Sequence, residues 1–140
     1  MYTNKSKNLK RYKTAEEASF AVKNKSEVIS AILIELERSM NIVVDTIEKT
    51  KKWKPSKDDL MLKNRHFSKA LTAIYSLQVS LNFDEGGSIA EKLFQLYEYC
   101  RQQLIKGFSK KVVDGIKKAA AAIKSITEAW QSGVNNAKTS

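Results

Sequence analysis

At 140 residues the chain is long enough to bury one core without disulfide or metal staples and too short for two ordinary domains; its 25 Lys and Arg against 15 Asp and Glu give a formal net charge of +10. Its one cysteine excludes an intramolecular disulfide and any cysteine-rich zinc site, and fits a reducing compartment. Met1 to Lys13 is polar and no apolar run approaches the ~20 residues that span a bilayer, so the expectation is a soluble cytoplasmic protein without signal peptide or membrane insertion.

Thr14 with Glu17 forms a possible capping box, which predicts a short helix over residues 15–22 behind a basic arm. The first long helix carries Ile29, Ile32, Leu33, Leu36, Met40, Val43 and Ile47 at three- or four-residue steps. Lys51 to Lys57, with Trp53 and Pro55, is the first connection, and Ser56 caps the second helix. The expected stripe of that helix is Phe67, Leu71, Ile74, Gln78 and Leu81, with Ala70 and Leu77 beside it.

Gly86 and Gly87 then mark a turn, and Ser88 with Glu91 reads as a second capping box, so a third helix is expected from Ser88 to a glycine cap at Gly107. Its narrow stripe is Ile89, Leu93, Leu96, Cys100 and Leu104; a second apolar group, Ala90, Phe94, Tyr97 and Ile105, lies on the adjoining flank. Together they cover roughly 180°, more than one core contact requires, so something must cover the excess: a wider core, the N-terminal arm or a partner. Ser109 is the expected cap of a fourth helix bearing Val112, Ile116, Ala119, Ile123, Ile126, Trp130 and Val134.

No stretch alternates with period two, and the later connections are short, which makes neighbouring helices antiparallel. The fold class is all-α: a single antiparallel four-helix bundle domain over residues 1–140, with a flexible basic arm over 1–14 and a frayed tail over 134–140.

Catalytic chemistry finds little footing. His66, the single histidine, reads as a solvated surface residue, and Lys63 stands three before it, where a ferritin-like di-iron site needs glutamate. Gly86-Gly87 lacks the phosphate-loop lysine and the dinucleotide-binding spacing. The chain is therefore expected to be no enzyme and to use no cofactor or metal. Its basic residues sit on the arm (Lys5, Lys7, Lys10, Arg11, Lys13) and the first connection rather than on one recognition stripe, so no nucleic-acid partner is expected either.

The segment from Leu81 to Leu104 carries the most specific pattern. Leu81-Asn82, the run Phe83 to Gly87, Ile89-Ala90, and then Leu93, Leu96, Tyr97, Tyr99 and Leu104, joined by Ala129-Trp130 and by Tyr12, resemble the flagellar secretion chaperone FliS family over about residues 66 to 132. The N-terminal half departs from it: Lys25-Ser26-Glu27 stands where many members have Ser-Pro. The resemblance implies a cytoplasmic export chaperone that holds the disordered C-terminal segment of flagellin, preventing premature polymerisation before type III secretion, with flagellar export apparatus components as further partners.

Helix geometry then suggests where such a segment would lie. Tyr75 and Val79 flank the core stripe of the second helix; Phe94, Tyr97 and Ile105 flank that of the third. Facing one another, they form an apolar channel, with Arg101 on its rim and Tyr12 on an arm able to fold over it. Two alternatives stay open: a structural or regulatory bundle with another flagellar client, and a basic nucleic-acid-binding protein.

Overall fold

The computed structural model describes the backbone over residues 4–51 and 54–139 and the side chains over 25–51 and 54–133. Four helices follow one another: α1 Asn4–Thr50, α2 Lys57–Val79, α3 Phe83–Lys110 and α4 Asp114–Thr139. Side-chain contacts run oppositely along each neighbouring pair. Ser39 meets His66 while Thr50 meets Lys63 across α1 and α2, and Gln78 meets Glu98 while Phe67 meets Phe108 across α2 and α3. This is the antiparallel bundle the periodicity predicts. α1 packs mainly against α2 and α4, and α3 closes the ring on the far side.

One continuous α1 replaces the separate short helix expected over 15–22. Tyr12 and the other side chains of the expected arm, Trp53, and the side chains of the expected tail lie outside the described residues.

The first connection is as expected. The Ser56 side chain accepts from the Asp59 amide at 2.9 Å, and Asp58 and Asp59 place negative charge on the positive end of the α2 dipole. The next boundary is not. α3 starts at Phe83, capped by Asn82, whose Oδ1 accepts from the Glu85 amide at 3.1 Å. The Gly-Gly pair lies inside the helix as a kink at Gly87, whose φ of 50° and ψ of −124° suit glycine and little else. A break in helical geometry just before Ser88 is thus real, but the chain is helical on both sides of it.

Gly107 is not the end of α3 either. The helix continues to Lys110, and Lys111 takes the left-handed position at φ 58°, ψ 42°. Glycine at 107 serves close packing: a Cβ there would collide with the Ile116 side chain and the Val112 carbonyl. Ser109 caps nothing, since its hydroxyl donates back to the Ile105 carbonyl at 2.6 Å within α3, and α4 begins at Asp114.

The core is built from Leu33, Leu36, Met40, Ile47, Ile74, Leu104, Ile116 and Ile123, all fully buried, each contributing about 1.5–3 kcal/mol of burial. The stripe expected for α1 is the observed one from Leu33 onward and that of α4 holds at Ile116, Ala119 and Ile123, whereas those of α2 and α3 are rotated. On α2 the buried row is Lys63, His66, Ala70, Ile74 and Leu77, while Phe67, Leu71, Gln78 and Leu81 are half-buried. On α3 it is Ala90, Tyr97, Cys100, Leu104 and Gly107. On α4 Val113, Ala120 and Thr127 join Ile116, Ala119 and Ile123, and Val112 is exposed.

Two of those α2 residues are polar, and one of them corrects an expectation. His66, expected in solvent, is 5% exposed and shares a 3.2 Å hydrogen bond between its Nδ1 and Ser39 Oγ. Burial first, then the Lys69 and Arg38 charges, lower its pKa, so the imidazole is held neutral. Lys63 threads its stem into the seam. Its ammonium donates to Thr50 Oγ1 at 3.4 Å and lies 5.1 Å from the centre of the Phe108 ring, which stacks on Phe67. Burial, then Lys111, lowers the Lys63 pKa.

Candidate functional site

The α2–α3 seam and the outward face of α2 beside it carry most of the residues the helical spacing singled out. Tyr75 is 68% exposed and Val79 63%, four residues apart on one row of α2. Phe94 and Ile105 stand partly exposed on the flank of α3 nearer α2. Between the two helices Gln78 donates through Nε2 to Glu98 Oε2 at 3.2 Å and to the Phe94 carbonyl at 3.4 Å. Arg101 donates to the same Glu98 carboxylate, its Nε lying 2.9 Å from Oε1 and its Nη2 also in contact. The hydrogen bonds from Arg101, then Gln78, pull the Glu98 carboxyl below its usual range, so it stays ionised. A polar clasp therefore joins the helices, with exposed apolar side chains around it.

Tyr97 does not belong to this exposed flank. It lies seven residues before Leu104, almost two full turns, which puts it on the same row as a core residue, and only 3% of it is exposed. Burial pushes its phenol up to about 12. The same burial raises the Cys100 thiol to about 12, so this cysteine is an unreactive packing residue beside the Ala119 carbonyl. Ile89 departs in the other direction: placed on the core stripe by its spacing, it is 68% exposed. Leu96 is half-buried rather than central.

Spacing did not mark Phe83. It is 47% exposed and its ring lies 6.1 Å from that of Phe94, tilted by 59°, so the apolar flank continues past the end of α2. The signal was available in Asn82 and Glu85, a helix start that would have placed Phe83 in the first turn rather than in a loop.

Beside that flank, at the end of the bundle where α2 gives way to α3, all four helices contribute to an apolar cleft of about 340 Å³. Ile29 of α1, Leu81, Leu93 and Tyr97, and Ile126 and Trp130 of α4 line it. The Trp130 indole donates to the Ser26 carbonyl at 2.9 Å, which pins the end of α4 onto α1 and holds the cleft wall in place. Exposed Ile89 stands at its mouth.

The arrangement offers apolar surface and a few fixed polar groups, the composition of a peptide-binding face. Among the described residues no group of three or more His, Cys, Asp or Glu is placed to hold a metal ion. No helix among them is long and apolar enough to cross a membrane. A sequence model of the family described as "Flagellar protein FliS" matches residues 7–137, nearly the whole chain. Among the curated proteins compared with it, none matches.

Proposed function

Since the chain belongs to the FliS family of flagellar proteins, whose general role is that of a flagellar secretion chaperone and which is not a family of enzymes, we propose that it is a cytoplasmic chaperone whose client is flagellin and that it holds flagellin's C-terminal segment along the α2–α3 flank. The observation that carries the site is the run of exposed apolar side chains Tyr75, Val79, Phe83, Phe94 and Ile105 around a fixed polar clasp. Exposed apolar surface of this kind is what an amphipathic segment requires when its own filament partners are absent. Ordering such a segment costs some 2–5 kcal/mol, which contact with rigid helices can offset. Arg101, held by Glu98, presents its remaining donors on the rim, and Tyr12 of the N-terminal segment completes the proposed contacts. The adjoining cleft, walled by Tyr97 and Trp130, takes one bulky apolar side chain of the client.

Client and chaperone then part at the export apparatus, a second partner in this reading. The test is calorimetry with flagellin from the same source, full-length and lacking its C-terminal segment. Full-length protein binds and the truncated form does not, with little weakening at moderate salt because apolar contact dominates. Equal affinity for both forms would refute the site's assignment to that segment.

A further inference from the structure

A second groove runs along the opposite edge of α2, where it packs against α1, with a volume of about 760 Å³. Its floor is Ile32 of α1 and Ala73 of α2. One wall is a row of small side chains, Ser68, Thr72 and Ser76, spaced four apart so that they stack along a single line of α2. Small side chains along one line leave room for another helix to come close, with its ridge of larger residues in the furrow. Ala73 and Lys69 lie on the edge of α2 toward α1 and Gln78 on the edge toward α3, with the outward face bearing Tyr75 and Val79 between the two edges.

Charge selects the occupant. Arg38, Arg65 and Lys69 rim the groove, against the single carboxylate of Glu35. Arg38 at 3.3 Å and Lys69 at 3.8 Å share that carboxylate, so it cannot neutralise the third cation. The rim thus keeps a net positive charge beside a mostly apolar floor. We infer that this α1–α2 groove is a second docking surface, and that its occupant is an acidic amphipathic helix of a partner protein other than the client. A basic helix would meet three like charges on the rim. A nucleic-acid strand would find Glu35 between the cations and no aromatic side chain among the groove's lining.

The experiment uses the full chain and a synthetic amphipathic helix of leucine and glutamate, with a leucine–lysine helix of the same length as its control. Backbone amide shifts should move at Ile32, Thr72, Ala73 and Ser76 with the acidic helix alone. Anisotropy titrations should show affinity falling about tenfold for the double variant Arg65→Glu, Lys69→Glu, and falling again as salt is raised. Thr72→Trp, which fills the furrow from an exposed position, should lose the acidic helix while keeping the helical signal. The double variant should still bind flagellin's C-terminal segment as the unaltered chain does. The inference is overturned if the lysine helix binds as well as the glutamate helix, if the shifts gather at Tyr75 and Phe94, if the double variant binds unchanged, or if a single-stranded DNA oligonucleotide takes the same residues more tightly.

Discussion

The two seams made by α2 differ in how they are closed. Toward α1 the helix buries Lys63, His66 and Ala70, and the polar members are each given a partner, Thr50 for the lysine and Ser39 for the histidine. On its outward face beside α3 it leaves Tyr75 and Val79 largely in solvent, and α2 and α3 are joined by the Phe67–Phe108 stack and by Gln78 reaching a carboxylate that Arg101 also grips. The lesson is that in a bundle of this length polarity and exposure are uncoupled. Buried polar groups lock the interior of the α1–α2 seam, while the apolar groups left outside stand where the client is to come.

The sharpest way to break this contrast is on two neighbouring residues of α2. Ile74 is fully buried and Tyr75 is 68% exposed. Ile74→Asp should bury an unpaired carboxylate and cost more than about 4 kcal/mol, enough to unfold most of the population. Tyr75→Asp carries the same new charge and should leave the melting temperature nearly unchanged. Thermal melts of both variants by circular dichroism check this; equal destabilisation would mean that Tyr75 is core.

A smaller effect of opposite sign is expected inside the closed seam. Lys63→Met keeps the stem against Phe108 but removes a poorly solvated ammonium, and Thr50 retains its own bond to the Ile47 carbonyl at 3.1 Å. Stability measured in urea should rise by about 1 kcal/mol.

The neighbouring histidine should make the seam sensitive to acid. Its native pKa lies below the unfolded value of 6.5, so above that pH both states are neutral and stability is at its full level. As pH falls below it the unfolded chain binds a proton that the native chain refuses, and stability is lost until pH passes the lowered native value. Denaturation midpoints between neutral pH and mild acid should therefore fall more steeply for the unaltered chain than for His66→Gln, which keeps a polar partner for Ser39. Parallel slopes would place the acid sensitivity elsewhere.

Least affected should be the clasp on the open seam. Arg101→Ala removes an exposed ion pair with Glu98, and the melting temperature should barely move. Affinity for the client is the quantity expected to change.

Legibility in the sequence followed the same division. Helix number, the Ser56 cap and most of the α1 stripe were readable because they rest on local chemistry and on a clear apolar period. The stripe of α2 was read off centre, because the burial of His66 and Lys63 depends on Ser39 and Thr50, partners distant in the chain. Gly107 looked like a cap because nothing local reveals that Ile116 packs against it. Among the proposed contacts Tyr75, Val79, Phe94 and Ile105 were found as an excess over the core, Tyr97 was swept up with them by its flank, and Phe83 was missed because the start of α3 was placed after the glycines.

The central claim is that the α2–α3 flank is spare surface for a partner rather than unfinished core. Phe94, 39% exposed beside Phe83 and the Gln78 clasp, is where the claim is most vulnerable. Calorimetry of Phe94→Asp with flagellin's C-terminal segment, run alongside a melt of the same sample, tests it. The account predicts a protein that stays within about 1 kcal/mol of the unaltered chain in stability and no longer binds the segment. Undiminished binding by a folded Phe94→Asp, or unfolding as complete as that of Ile74→Asp, would contradict it.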